Sequence, residues 1–422
     1  MNIAVIGAGV VGVATAWELA ADGHEVTLYD RHPTAGEEAS FATGALTGPG
    51  WNAAWLPAQT NWSGPWGSAK GGLHLQRLPR LGEWTWLWRW AKCAKGRAST
   101  PQHQALQRLA LYSAEHTHDL NRALELDHDA SDGLLVLLRT PQEADSAQTT
   151  IERLREIGVA AQALTAEQAR QQEPALYPET PIHAAISIAN AGAANCREWT
   201  LLMKTRAQKL GARLALGTLV SRLEPMTGGA WRVHTPKSST PFSDHDAVVV
   251  CTGASAPTLL RPLGLKLPTQ TITAHSVSAA IREPLDAPLS AVFDPARQVS
   301  IARLGQRIRV SGGATLGAKP GAAPDAAALK QLYKTLMDWF PGAARFGGPQ
   351  GSVQEWRGSY AATHDGLPLI GGTRLPGLWI NLGHGAAGWT LAAGSARLLA
   401  DELRGASPAL DAATYAPLRQ GL

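Results

Sequence analysis

The N-terminal stretch MNIAVIGAGVVGVATAWELAADGHEVTLYD, residues 1–30, has the pattern of a strand, a glycine-rich turn, a helix and a second strand. Its apolar run 2–6 is typical of a strand that is buried on both faces of a parallel sheet. Gly7, Gly9 and Gly12 follow with the spacing G-x-G-x-x-G. This spacing permits a tight turn, close approach of the backbone to a pyrophosphate, and close packing of the next helix. The stretch therefore predicts a dinucleotide site.

The remainder of this stretch supports the same prediction. A helix over residues 10–21 would present free N–H groups and the positive end of its dipole at Val10 and Val11, which favours an anion there. The second strand ends at Asp30, which lies 18 residues (30 − 12) after the last glycine. An acid about 20 residues after that glycine binds an adenosine ribose in such folds. The pattern leaves the kind of dinucleotide open.

Composition and charge are those of an ordinary folded protein. The 422 residues are too many for one compact core and predict two domains. The net charge of +4 is spread without a long basic block, so nucleic-acid binding is not favoured. The three cysteines are widely spaced without a C-x-x-C pair, which disfavours a disulfide framework and fits a reducing compartment. No set of residues has the spacing of a metal site, and none is expected.

The N-terminus has no basic leader, and no uninterrupted apolar run reaches the roughly 18 residues of a membrane span. We therefore expect a cytoplasmic protein. Eight of the fifteen tryptophans fall between positions 51 and 90, and four of them crowd residues 84–90. One interpretation is a helix that rests on lipid headgroups at the inner face of the membrane, with basic residues toward anionic lipid. The other, which we favour here, is a helix buried beside the active site.

Two later segments indicate which dinucleotide binds. Residues 246–253, DAVVVCTG, read as a buried strand that ends at Thr252 and Gly253, as at a sheet edge that meets a cofactor. Because this part of the nucleotide fold resumes only after a long insertion, it favours an extended FAD over NAD. Residues 383–390, GHGAAGWT, combine a glycine-rich turn with a helix start, which can hold a second anionic group.

These signals predict an α/β protein. A Rossmann-like FAD-binding domain is interleaved with an α+β substrate domain, which is built on an antiparallel sheet. Alternating strands over 271–281 and 299–312 predict that sheet. We assign residues 1–85, 145–262 and 353–422 to the FAD-binding domain, and residues 86–144 and 263–352 to the substrate domain.

The order of motifs along nearly the whole chain resembles the small subunit of bacterial D-amino acid dehydrogenase, within the wider group of glycine oxidase and D-amino acid oxidase. The motifs are G-x-G-x-x-G with Asp30, Ser40-Phe41-Ala42, VVCTG at 249–253, Trp356-Arg357-Gly358, DGLPLIG at 365–371 and GHGAAGWT at 383–390. The resemblance implies FAD, and oxidation of the C–N bond of an amino acid or amine to an imine that water hydrolyses. Hydride would pass to flavin N5, and oxygen or a quinone would be the electron acceptor.

The same resemblance implies residues for each part of the cofactor. Those for the adenosine and pyrophosphate are Gly7, Gly9, Val10, Val11, Gly12, Asp30, Arg31, Ser40 and Thr43, with Val220 contacting adenine through its backbone. Thr252 and Gly253 would line the cofactor cleft. The residues facing the isoalloxazine would be Gly385, Ala386, Ala387, Gly388 and Thr390.

The substrate side departs from the family pattern. Members usually read Trp-x-Gly-Leu-Arg-Pro, whose arginine clamps the substrate carboxylate with a planar fork. Tyr360 replaces that arginine here, His275 stands where a tyrosine is usual, and Leu46 where a glutamine is common. We assign the catalytic contacts to Tyr360, His275 and His384. The substrate pocket is assigned to Leu46, Trp51, Arg303 and Trp389.

Three hypotheses stay open at this point. Tyr360 and His275 bind a modified carboxyl, an amide or a hydroxyl of a specialised amine; or another arginine, Arg303 or Arg309, clamps a carboxylate from a neighbouring strand. In the third, the chain is a flavin-binding partner without turnover of its own.

Overall fold

Two β-sheets organise the chain in the computed structural model, which describes residues 1–51, 62–63, 72–95, 101–236, 238–319, 321–347 and 353–422. Trp55 and Trp66, from the tryptophan-rich segment, lie outside these residues. The helices of the described part are α1 (Val10–Ala21), α2 (Leu81–Lys95), α3 (Pro101–Leu124), α4 (Pro141–Glu156), α5 (Ala166–Gln172), α6 (Cys196–Lys209), α7 (Ala256–Leu260), α8 (Ala326–Trp339) and α9 (Gly388–Leu403).

The strands of the described part are short in the first half of the chain and longer in the second. They are β1 (Asn2–Ile6), β2 (Glu25–Asp30), β3 (Leu46–Thr47), β4 (Trp62–Ser63), β5 (Leu73–Leu75), β6 (Ser131–Leu138), β7 (Ala161–Thr165), β8 (Ala184–Ala193), β9 (Arg213–Leu216), β10 (Arg222–Pro225), β11 (Trp231–His234), β12 (Phe242–His245), β13 (Ala247–Val250), β14 (Thr269–Ile281), β15 (Ala291–Asp294), β16 (Val299–Leu304), β17 (Arg307–Leu316), β18 (Ala344–Arg345), β19 (Gln354–Thr363), β20 (Leu369–Gly372) and β21 (Leu378–Leu382).

The first sheet is the predicted nucleotide-binding sheet. Its strand order is β20-β21-β13-β1-β2-β9, and every neighbouring pair except β20 and β21 is parallel. Ile3 and Val5 of β1 pack toward α1, α6 and α9, while Ala4 and Ile6 pack toward the small sheet of β10, β11 and β12. Burial on both faces explains why β1 is apolar throughout. The Rossmann-like part of the fold prediction is confirmed.

The second sheet is mostly antiparallel, as expected for the substrate side. Its main order is β18-β14-β17-β16-β15-β6-β8-β3, with β19 paired to β14, β7 to β8, and β5 to β17. One face carries Val277 and Val310 against Leu332 of α8. The opposite face meets Ala45 and Leu46, which follow the nucleotide turn in the chain. The second face is therefore the one turned toward the cofactor.

Sheet membership divides the chain differently from the segments assigned above. β7 and β8 belong to the second sheet, although they lie within residues 145–262. α3 lies on α9 beside the first sheet, where Ser113 Oγ accepts the Gly394 N–H at 3.0 Å, although it was grouped with the substrate domain. A strand pairs with whichever edge lies beside it, which local composition does not show. We propose that the domain boundaries follow the sheets.

α2 has two different faces. Trp86 and Leu87 are buried against Leu73, Leu75 and Ile272, whereas Trp84 and Trp88 are 44% and 65% exposed. The helix is thus buried on one side and exposed on the other, and a contact of the exposed side with lipid stays a prediction. In the described part of the chain, no helix is both long and apolar enough to cross a membrane. The three cysteines, Cys93, Cys196 and Cys251, are free.

Candidate active site

The glycine-rich turn after β1 has no room for side chains. Gly7 has a φ of +105°, its N–H donates to the Tyr29 carbonyl at 2.8 Å, and a Cβ there would lie 2.7 Å from the Cys251 carbonyl oxygen. A Cβ at Gly12 would lie 1.8 Å from the Gly7 carbonyl oxygen. Both distances are far below ordinary contact, so the turn and the approach of α1 depend on glycine.

Two polar side chains flank the N-terminus of α1. Ser40 Oγ accepts the N–H of Val10 at 3.0 Å, and a Cβ at Gly9 would lie 3.2 Å from that oxygen. The Asp30 carboxylate accepts the N–H of Ala8 at 2.6 Å and that of His32 at 2.8 Å. The free N–H groups and helix dipole at this point favour a phosphate. Arg31 lies at the rim, where it pairs with Glu38.

A buried hydroxyl group without a hydrogen-bond partner among the described residues lies next to the glycine-rich turn, at the end of β13. Thr252 Oγ1, at the end of β13, is buried and has no hydrogen-bond partner in the described part of the chain. A Cβ at Gly253 would meet nothing within 4 Å, so space lies beside it. Buried hydroxyls are normally paired, and a cofactor alongside Gly253 would supply the missing partner. These groups fit a dinucleotide. Val220 is buried where the chain leaves β9.

The turn before α9 is joined to the segment that follows Ser40. Thr390 Oγ1 donates to the Leu46 carbonyl at 3.1 Å and accepts the Trp51 Nε1–H at 3.2 Å. Leu46, Trp51 and Thr390 are therefore brought together, as their assignment to one site requires. Thr43 Oγ1 lies three residues before Leu46 and accepts the Ala45 N–H at 3.2 Å.

His384 lies in this turn as a buried neutral imidazole. Its Nε2 is 3.1 Å from Ser395 Oγ, and burial lowers the pKa of His384 to about 3. Ser395 also bonds Asn381, so the imidazole belongs to a buried polar network of the first domain. The backbone of His384 pairs with Ala362 of β19, which links the two sheets directly. These contacts indicate that His384 holds the turn, not that it transfers protons.

Alternate residues of β19 face the first domain, which is the part of the chain built on the first sheet. The Trp356 ring stacks on Phe41 with centroids 4.3 Å apart, and a Cβ at Gly358 would lie 3.2 Å from the Ala39 Cα. A Cβ at Gly385 would lie 3.9 Å from the Ala362 Cβ. Since side chains two apart share a face of a strand, Tyr360 lies on this cofactor side as well.

Tyr360 is the polar group of an otherwise apolar wall. It packs with Trp86, Ile272 and Leu316, and its hydroxyl makes no hydrogen bond within the described residues. Burial raises the pKa of Tyr360, so the phenol stays neutral. The indole N–H of Trp86 donates to the Ala362 carbonyl at 3.2 Å, which brings α2 to the site. Sequence reasoning left Trp86 unassigned, although the spacing of Trp86 and Trp90 on one helix face was a usable signal.

Three predicted site residues lie elsewhere. His275 is opposite Arg357 on the other face of the β14–β19 pair, where Nδ1–H donates to the Gly313 carbonyl at 3.2 Å and Nε2 accepts the Asp325 N–H at 3.1 Å. Burial lowers its pKa, so it is a neutral link between strands and α8. On β14, His275 lies three residues after Ile272, which is opposite Tyr360, and residues three apart along a strand point to opposite faces. His275 therefore cannot act together with Tyr360.

Trp389 and Arg303 are likewise misplaced for a substrate pocket. The Trp389 ring lies 5.1 Å from that of Trp199 in the core of the first domain. Arg303 is opposite Ile308, which belongs to the α8 side, and its Nε donates to the Gly305 carbonyl at 3.2 Å. Arg309, the other arginine considered, does face the cofactor side, opposite Ser278 and Ala302.

A parallel sheet with a glycine-rich phosphate turn, closed by a mostly antiparallel sheet, defines a two-domain flavoprotein oxidoreductase. The family described as FAD dependent oxidoreductase (DAO) matches residues 2–402. The chain belongs to this family, and its cofactor is FAD.

Relatives and solved structures agree over nearly the full length. The chain is 35% identical over 421 residues to a D-amino acid dehydrogenase of Cereibacter sphaeroides, covering 98% of this chain and 94% of that protein. It is 33% identical to that of Rhodopseudomonas palustris, covering 98% and 96%. Glycine oxidase from Geobacillus kaustophilus has a TM-score of 0.71 at 24% identity, covering 98% and 97%. L-proline dehydrogenase from P. horikoshii has a TM-score of 0.74 at 20% identity, covering 99% and 97%. The two structures share the fold.

Proposed function

We propose that the protein oxidises the C–N bond of a D-amino acid or a related amine to an imine, which water then hydrolyses. The observation that carries this proposal is the 35% identity, over 98% of the chain, with a protein named for D-amino acid oxidation. FAD supplies the chemistry by accepting two electrons and a hydrogen from the carbon next to nitrogen. The residues of this chain position the cofactor and enclose the reacting atoms.

The neutral substrate side is consistent with this reaction. His384 and Tyr360 are uncharged at neutral pH, because burial lowers the pKa of the first and raises that of the second. Removal of hydrogen from a neutral amine needs no ionised side chain, only correct placement. The free hydroxyl of Tyr360 is available to donate to an oxygen of the substrate. We infer that an amide or a carboxylate is held through this hydroxyl, without a guanidinium at that position.

The test follows the visible absorbance of the bound flavin without oxygen. D-amino acids, the matching D-amino amides and the L-enantiomers as matched controls are added to purified holoenzyme. We expect bleaching by at least one D-compound, with the amide reacting at a rate comparable to the acid. If no amine reduces the flavin while dithionite does, the proposal is wrong and the flavin-binding partner without turnover is favoured.

We further propose that the exposed face of α2 contacts an anionic lipid surface, where a quinone is the electron acceptor. Leu81, Trp84 and Trp88 are 86%, 44% and 65% exposed along one side of the helix. Arg89 and Lys92 are exposed beside them, and Lys92 Nζ lies 5.6 Å from the centroid of the Trp88 ring. Exposed tryptophan with flanking cations is the composition of an interfacial helix. The buried face of the same helix reaches β19.

Co-sedimentation with vesicles tests this contact. We expect binding to vesicles with anionic lipid, weaker binding to zwitterionic vesicles, and loss of binding when Trp84→Ser and Trp88→Ser are combined. Leu285→Ser is the control, because Leu285 is 85% exposed and lies on a different element. Equal binding of the tryptophan variant and the control would disprove the contact. Quinone reduction with and without vesicles then reports on the acceptor.

A further inference from the structure

Two tryptophans on the inner face of α2 belong to the same apolar cluster as Tyr360. The Trp86 ring is buried, and the Trp90 ring is stacked on it, with centroids 6.1 Å apart and planes at 7°. The indole N–H of Trp86 donates to the carbonyl of Ala362, which lies two residues after Tyr360 on β19, at 3.2 Å. The two rings therefore cover the end of β19 that carries Tyr360.

The start of α2 is fixed to the second sheet, so the fold determines where these rings lie. β5 runs parallel to β17 just before the helix, and the Gln76 N–H donates to the Leu316 carbonyl at 3.0 Å. Arg77 then binds Glu83, in the first turn of α2, through two hydrogen bonds of 2.8 and 2.7 Å. Because side chains four apart on a helix share a face, the anchored helix presents both rings to the same place.

This end of β19 adjoins the turn that was assigned to the isoalloxazine. The backbone of Ala362 pairs with that of His384. A Cβ at Gly385 would lie 3.9 Å from the Ala362 Cβ and would meet no other non-neighbouring atom of the described residues within 4 Å. Tyr360 and Ala362 are only partly buried in their cluster. Their remaining surface is therefore open to a group that lies beside this turn.

The electrostatics of this end favour an uncharged group. Burial is the only cause that raises the pKa of Tyr360, and it is the only cause that lowers the pKa of His384 to about 3, so no charged side chain of the described residues contributes to either shift. The carboxylate that follows on the chain, Asp365, is paired with Arg419. A charged group would lose its hydration here without a partner, whereas an apolar group gains free energy by leaving water.

We propose that Trp86 and Trp90 form the subsite for the side chain of the substrate, and that this subsite takes a bulky apolar group. The inference rests on the proposed amine oxidation and names the class of amine. The Tyr360 hydroxyl holds the amide or carboxylate, and the substituent of the reacting carbon extends along the two rings. Rigid aromatic rings bury such a substituent with little loss of side-chain freedom. A small substituent leaves the subsite partly unfilled.

The test measures the binding of unreactive amides to FAD-loaded protein through the change in the flavin spectrum, so it needs no turnover. Propanamide, hexanamide and 6-aminohexanamide correspond to the amides of alanine, norleucine and lysine without the reacting amine. We expect hexanamide to bind at least about tenfold more tightly than propanamide, since each buried methylene contributes about fourfold. It should bind at least about a hundredfold more tightly than 6-aminohexanamide, whose ammonium group loses its hydration.

Trp86→Leu and Trp90→Leu are compared with Thr85→Ala, which changes an exposed position of the same helix. Each tryptophan variant should lower the preference for hexanamide over propanamide at least about fivefold, because part of the apolar contact is lost, while the affinity for propanamide changes less than about twofold. Thr85→Ala should match the unmodified protein. Anaerobic reduction of the flavin by D-alanine, D-norleucine and D-lysine should follow the same order of preference.

Four results would overturn the proposal. They are no binding of hexanamide, equal affinity for hexanamide and propanamide, a preference that both tryptophan variants leave unchanged, and tighter binding of 6-aminohexanamide, which would make the rings a cation site. A uniform loss of all three ligands would likewise contradict it, since Trp86 would then only hold the Ala362 carbonyl. If Trp86→Leu does not retain FAD, Trp90→Leu decides. If no amine reduces the flavin while the amides are still discriminated, the amine oxidation is wrong and the apolar subsite stands.

Discussion

An alanine methyl group at position 12 would lie 1.8 Å from the carbonyl oxygen of Gly7, a separation that no relaxation of one side chain can relieve. We expect Gly12→Ala to displace α1 from the phosphate turn and to abolish FAD binding. The measurement is the ratio of flavin to protein absorbance after purification, with circular dichroism to follow folding.

Gly82→Ala is the matched control for this change. Gly82 lies in α2, its φ is not positive, and a Cβ there meets nothing within 4 Å. The control should bind FAD fully and gain slightly in stability, since alanine favours a helix by about 1 kcal/mol over glycine. Full FAD content in Gly12→Ala would contradict the role given to this glycine.

Tyr360→Phe removes one hydroxyl that has no hydrogen-bond partner in the described part of the chain. We expect the free energy of unfolding to change by less than about 0.5 kcal/mol, since no protein hydrogen bond is lost. If the hydroxyl donates to substrate, KM should rise about fivefold, the equivalent of roughly 1 kcal/mol. Steady-state kinetics and urea unfolding separate the two effects. A loss of stability with unchanged KM would assign the hydroxyl to the fold.

The sequence placed a residue correctly where the role of that residue is local. The glycines and Asp30 act within one turn, and their spacing in the sequence was enough to predict that they meet at the N-terminus of α1, where the structure has them together with Ser40. His275, Arg303 and Trp389 depend on which face of a strand or helix meets the cofactor. That choice is made by partner strands far away in sequence, so their residue types alone were misleading.

At the scale of elements, His275 joins α8 to the second sheet. Its ring donates to the Gly313 carbonyl on β17 and accepts the N–H of Asp325, the residue that caps α8. We expect His275→Phe to lower the free energy of unfolding by roughly 1–3 kcal/mol, because two buried backbone groups lose their partner. The flavin spectrum and KM should stay unchanged, which calorimetry and steady-state kinetics would show.

His183→Phe is the control, since His183 is exposed at the start of β8. A raised KM in His275→Phe with unchanged stability would restore the catalytic assignment. The helix in the structure is Ala326–Trp339, and its first turn is capped by the Asp325 side chain. What the sequence did not show is that its first turn is held by a histidine from a strand about 50 residues earlier, since that contact is tertiary.

At the scale of the whole molecule, buried neutral histidines predict sensitivity to acid. Burial lowers the pKa of His128, His245, His275 and His384, the last from its ordinary value of 6.5 to about 3. At these four imidazoles the unfolded chain therefore binds more protons than the folded one below pH 6.5, and their contribution to stability falls as the pH falls. Glu173 acts in the opposite direction, because burial raises its pKa to about 7. For His384 this loss continues down to about pH 3, with about 1.4 kcal/mol for each pH unit.

Urea unfolding at pH 7.5 and at pH 5.5 checks this prediction. We expect the free energy of unfolding to be lower at pH 5.5, with about 1 kcal/mol of the difference from His384. His384→Asn should lose its share of the difference, while His183→Asn, at an exposed position, should keep all of it. The same pH difference in His384→Asn and in His183→Asn would show that the imidazole of His384 is protonated in the folded protein.

The overall architecture was largely predictable, because strand β1, the late strand β13 and the turn before α9 each have a strong local pattern. The membership of single strands in the two sheets was not predictable, and the domain boundaries stay a proposal. β8 pairs with β6 across an intervening helix, and nothing in the composition near residue 145 marks a change of sheet. The link between the sheets, Ala362 with His384, was also invisible, since it is one backbone pair between distant segments.

The alternation along β19 has a consequence for directed evolution. Positions 356, 358, 360 and 362 face the cofactor, whereas Arg357 binds the carbonyls of Lys319 and Ala322 and Ser359 bonds Thr273 on the outer face. A combinatorial library confined to the four even positions would vary the surface offered to substrates while keeping the outer anchors intact. One strand can thus supply new selectivities by single-codon changes at every second residue.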